Sequence, residues 1–82
     1  MTLYFFHLRE GVDILIDTDG RELDSLDAAA SNALVEARAI IAHEAREGRI
    51  LLDKHIDVEN ADGGIVHRLC FADAVEIVRP NK

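Results

Sequence analysis

The chain opens Leu3-Tyr4-Phe5-Phe6-His7-Leu8, a run with no charged residue in it. Read as a strand over residues 2–9, it places Tyr4, Phe6 and Leu8 on one face and Leu3, Phe5 and His7 on the other. A strand apolar on both faces needs cover on both. A small domain has one core, so the second face points to another chain. Arg9-Glu10-Gly11 reads as a turn. Val12–Ile16 reads as a second strand, with Val12, Ile14 and Ile16 inward and Asp13 and Leu15 outward, so that the two strands form a hairpin. Asp17-Thr18-Asp19-Gly20 is a further turn, and Arg21-Glu22-Leu23 leads out of it.

The periodicity then changes from two to between three and four. Leu26, Ala29, Ala30, Ala33, Leu34, Ala37, Ile40, Ile41 and Ala45 form one stripe, predicting a helix whose alanines allow close approach to a sheet. Asp24 or Ser25 is its N-cap, Asp27 sits in the first turn, and Gly48 is the C-terminal stop. Ile50, Leu51 and Leu52 tuck under the helix end. Lys54–Glu59 alternates as a third strand, Ile56 and Val58 inward, His55, Asp57 and Glu59 outward. Asn60–Gly64 is a hairpin turn. Ile65–Phe71 is a fourth strand with Ile65, His67, Leu69 and Phe71 on one side, followed by a helical turn at Ala72–Ala74 and an apolar tail through Val75, Ile77 and Val78. The predicted fold is α+β, β-β-α-β-β, a small antiparallel sheet with one long helix packed on one face, as a single domain over 1–82.

Charge narrows the partners. The net charge is −7, and Glu10, Asp13, Asp17, Asp19, Glu22, Asp24 and Asp27 face only Arg21 within residues 10–27. Such a chain does not make the cation–phosphate contacts that dominate nucleic-acid affinity, so no nucleic-acid partner is expected. The acidic surface Glu10, Asp13, Asp17, Asp19 and Glu22 suits a basic protein partner. No apolar run approaches the length of a membrane helix, and the opening lacks a basic leader and a cleavage site. The expectation is a cytoplasmic protein with no membrane partner. A lone cysteine, Cys70, excludes an internal disulfide.

Candidate chemistry is sparse. His7, His43, His55 and His67 lack the spacing that aims two rings at one ion, so no metal is expected. His43-Glu44-Ala45-Arg46-Glu47 begins like a zinc-protease helix, but glutamate stands where the second histidine belongs. In Asp17–Glu22, taking Gly20 as the sixth position of a calcium loop puts Leu15 at the first and Leu26 at the twelfth, where oxygen ligands are required. Cys70 falls on the strand face opposite His67 and reads as a structural thiol. Gly63-Gly64 has no following helix or lysine to hold a phosphate. No catalytic residue, cofactor or enzymatic activity is expected.

The order Tyr4-x-Phe6-His7-Leu8, Gly11, Asp17-x-x-Gly20-x-Glu22-Leu23 resembles a family of small bacterial proteins of unknown function. So do the Ala28, Ala29, Ala33 and Ala37 helix closed by Gly48, then Ile56-x-Val58, Asp62-Gly63 and Leu69-x-Phe71-x-x-Ala74-Val75. The chain departs from that pattern at His67 and Cys70, where an apolar residue and often a proline would be more usual. The resemblance implies a stand-alone small domain and supplies no activity or cofactor.

Three functional readings follow. The first is a non-enzymatic interaction module, a homodimer built on the strand-one face or a sheet edge, with Tyr4, Phe5, Phe6 and His7 in contact. The second is an acidic, antitoxin-like regulator of a basic protein. The third is a small enzyme or ligand binder using His7 and nearby carboxylates, for which a thin one-helix sheet offers little room.

Overall fold

The computed structural model describes residues 1–81. Its elements are strands β1 (Thr2–Glu10), β2 (Asp13–Leu15) and β3 (Arg21–Leu23), helix α1 (Leu26–Arg46), strands β4 (Lys54–Asn60) and β5 (Ile65–Cys70), and a short helix α2 (Phe71–Ala74). The α+β class and the long helix on an antiparallel sheet are as expected. Arg21–Leu23, expected only to lead out of a turn, is a strand, and the turn after β5 is the four-residue α2.

The sheet order is β2-β1-β4-β5, and every pairing is antiparallel. Both β2 and β3 take the edge of β1 opposite β4: Leu8 to Glu10 pair with β2, and Thr2 to Tyr4 pair with β3. The middle of that edge is left to the intervening loop.

The core forms where the two periodicities meet. Tyr4 and Phe6 of β1 and Ile56 and Val58 of β4 turn toward α1, whose Ala29, Ala33, Ala37 and Ile41 are buried against them. Methyl side chains along the contact let the helix lie close to the pleat, so the aromatic rings fill the space beside it rather than holding it off. Ser25 caps α1 by accepting from the Ala28 N–H at 3.1 Å. Gly48, at φ 86°, ends it, with its N–H and that of Arg49 returning to the Ala45 and Glu44 carbonyls. Phe71 and Ala74 close the core's end, and Arg38 Nε donates to the Ala74 carbonyl at 2.8 Å.

Several positions correct the pattern reading. Leu15 pairs with Leu8 and so shares the helix side of the sheet, whereas Ile14 pairs with Arg9 on the far side. Val12 lies in the turn and is fully exposed. Leu26 and Ala45 of the predicted stripe are exposed, in the first and last turns of α1. Ile77 and Val78 are exposed and belong to no element.

Candidate interaction surfaces

Asp17 organises the β2–β3 loop. Its Oδ2 accepts from the Phe6 N–H at 3.0 Å, in the stretch of β1 that neither β2 nor β3 reaches. Its Oδ1 accepts from the Asp19 and Gly20 N–H groups, each at 3.1 Å. The carboxylate therefore stands in for the missing piece of strand. Burial raises its pKa, but the N–H groups of Phe6, Gly20 and Asp19 outweigh burial and hold it below the ordinary carboxylate value. Gly20 follows at φ 71°, and a Cβ there would lie 2.9 Å from both Phe5 Cε1 and the Tyr4 carbonyl. Asp17-x-x-Gly20 is thus a loop device, with Asp17 facing inward rather than forming part of a free acidic surface.

On the side of the sheet away from α1, long polar side chains provide the cover. The Asp17 N–H donates to His7 Nδ1 at 3.1 Å, which leaves the proton on Nε2 to donate to Glu59 Oε1 at 2.7 Å. His7 is buried, and its ring stacks parallel to Phe5 with centroids 6.3 Å apart. Beside it Asp57, only 1% exposed, accepts from Arg9 Nε at 2.7 Å and Arg68 Nε at 2.8 Å. Burial pushes the Asp57 pKa up, but the two guanidiniums more than offset it and hold the carboxyl below its ordinary value. His55 Nε2 lies 3.7 Å from Asp57 Oδ1, beyond hydrogen-bond reach. The second face of β1 is covered from within the chain.

This settles where the expected contact residues lie. Tyr4 and Phe6 are under the helix, His7 is buried in the polar cover, and Phe5 is half-buried beside it. Of the expected acidic surface, Glu10, Asp13, Asp19 and Glu22 are exposed, while Asp17 is committed to the loop. Cys70 is exposed on β5, across from His55 in register. Among the described residues, no group of three or more His, Cys, Asp or Glu side chains is placed to hold a metal ion. No helix among them is long and apolar enough to cross a membrane.

Residues 3–72 match the model of a family described as a domain of unknown function, DUF6894. The chain belongs to the DUF6894 family. No curated protein and no solved structure matches it. The matched span of this DUF6894 domain takes in α1 and all of the sheet but Thr2, and ends inside α2.

Two of the open surfaces among the described residues carry exposed apolar side chains. One is the sheet edge at β5, which pairs only with β4 and carries exposed Ile65 and Val66. The other flanks β2, beside α1. A groove of about 520 Å³ runs there between α1 and the β2–β3 loop, with Phe6, Leu8, Leu15, Ile16, Ile40 and Ile56 as its apolar lining. The DUF6894 sequence pattern places Ile16 inward and does not show the short β2 that leaves Leu15 and Ile16 uncovered.

Proposed function

We propose that this protein is a non-enzymatic interaction module that self-associates through the outer edge of β5. The observation that carries this reading is charge distribution among the strands. β1, β2, β3 and β4 each hold at least one carboxylate, and β5 holds none. Two copies of a chain with net charge −7 repel each other where acids meet, and the β2 and β3 edge presents Asp13 and Glu22 together with Glu10 and Asp19 nearby. At β5 that repulsion is weakest. A six-residue strand with unpaired outer N–H and C=O groups is a template for another strand. Its one cation, Arg68, is folded back onto Asp57 and does not guard the edge. Ile65 and Val66, 52% and 37% exposed, supply apolar area for a second copy.

Hydrogen exchange across a protein concentration series tests this. The amides of Ile65–Cys70 are expected to gain protection as concentration rises, while those of β2 do not. Protection at β5 that is independent of concentration would defeat the reading.

A further inference from the structure

We infer that the groove beside β2 receives a short segment of a partner protein in which apolar side chains alternate with arginine or lysine. The inference is independent of the β5 edge, since a monomeric chain still presents this groove.

Leu8, Leu15, Ile16 and Ile40 line the groove beside polar groups, so its surface is apolar and polar in about equal part. Leu15 and Ile16 are 69% and 53% exposed, so the groove presents open apolar side chains to a partner. A shallower hollow of about 290 Å³ adjoins it on β2, lined by Leu8, Ile14 and Leu15 with Glu10 and Asp13. Around the two together stand five carboxylates, Glu10, Asp13, Asp17, Asp19 and Glu36, against one guanidinium, Arg21. Arg21 donates from Nη1 to Asn32 Oδ1 at 2.7 Å and does not hydrogen-bond Glu36, though its charge acts on it.

Glu36 gives the groove its specific cation site. It projects from α1 into the lining and is half-buried. Asn32 Nδ2 donates to its Oε2 at 2.6 Å, and no described residue donates to Oε1. Burial raises its pKa above the ordinary carboxylate value, and the Asn32 hydrogen bond and the Arg21 charge offset this only in part. A carboxylate desolvated to this degree and left half-satisfied gains from an incoming guanidinium or ammonium. An acidic or purely apolar segment would leave it uncompensated, and a second copy of this chain would bring further acids. Charge complementarity therefore selects a basic, apolar segment over both.

The test uses the whole chain, isotope-labelled for NMR, and three capped heptapeptides: alternating arginine and leucine, alternating arginine and serine, and alternating glutamate and leucine. The arginine–leucine peptide is expected to bind at least tenfold more tightly than either control, shifting the amide signals of Leu15, Ile16, Gly20 and Ile40. Glu36→Gln is expected to weaken it about tenfold, and Leu15→Ser, an exposed position that leaves the fold intact, by a similar factor. Equal binding of the arginine–serine peptide, shifts centred on β5 instead, an unchanged affinity in Glu36→Gln, or no saturable binding would each overturn the inference.

Discussion

Replacing Asp17 with asparagine separates two views of this acidic loop. If Asp17 were one more member of a surface cluster, removing its charge would relieve repulsion and stabilise the chain. The geometry says the opposite. Both carboxylate oxygens are occupied, Oδ2 by the Phe6 N–H and Oδ1 by those of Asp19 and Gly20. An asparagine must turn its NH₂ group toward one of these sets, so a donor faces a donor. The partly buried Phe6 N–H left without an acceptor costs about 1–3 kcal/mol, and the remaining bonds lose their charge assistance at about 1 kcal/mol. The sum, about 3 kcal/mol, is large against the roughly 4–12 kcal/mol expected of a domain this size. With a urea slope of about 1–1.5 kcal/mol/M, the unfolding midpoint falls by about 2–3 M. Asp19→Asn is the matched control, since it removes one negative charge at an exposed neighbour. Urea unfolding followed by circular dichroism measures both. A midpoint for Asp17→Asn equal to that of Asp19→Asn, or above the wild type, refutes the reasoning.

Three further outcomes follow from the same geometry. Gly20→Ala is expected to lose about 2 kcal/mol, because the new Cβ must hold a positive φ and press on Phe5 and the Tyr4 carbonyl; a thermal midpoint within about 2 °C of wild type would contradict this. Arg9→Ala or Arg68→Ala alone is expected to cost about 1 kcal/mol, since both guanidiniums are half-exposed and either one still pairs with Asp57. The double variant is expected to exceed the sum, leaving a buried carboxylate unpaired, and strict additivity in urea midpoints would argue against a shared site. Asp17 and Asp57 both titrate below the ordinary carboxylate value in the fold. Their stabilisation is therefore complete above about pH 4–5, where the unfolded carboxylates are ionised, and is lost as pH falls through the lower folded values; urea midpoints that stay flat from pH 6 to pH 2 would rule this out.

The fold was legible where one period dominates. Tyr4, Phe6 and Leu8 against Phe5 and His7, and Ile56 and Val58 against Asp57 and Glu59, alternate as read, because strand geometry leaves no other choice. The middle of the α1 stripe is local and equally readable, and Ser25, one of the two candidate caps with Asp24, is the one that caps it. What the pattern missed depends on register. Leu15 lies opposite Leu8 only because β2 is short and its turn includes Val12, so the alternation there counts from the wrong residue. The polar cover on the second face of β1 is not visible in the sequence, because Arg9, Asp57, Glu59 and Arg68 look like solvent-facing residues until pairing brings them together. Asp17 was hidden among like charges, although its spacing from Gly20 was the visible signal of a side chain capping its own turn. The groove beside β2 is lined from β1, β2, the β2–β3 loop, α1 and β4 together, a set no local window contains.

Sedimentation equilibrium of the wild-type chain beside Val66→Lys, across a micromolar concentration series, tests the central claim most directly. The wild type is expected to form a dimer that dissociates on dilution, and Val66→Lys, with unchanged circular dichroism, to be a monomer throughout. A wild type that is monomeric at every concentration, or a Val66→Lys dimer as tight as the wild type, would contradict self-association at β5.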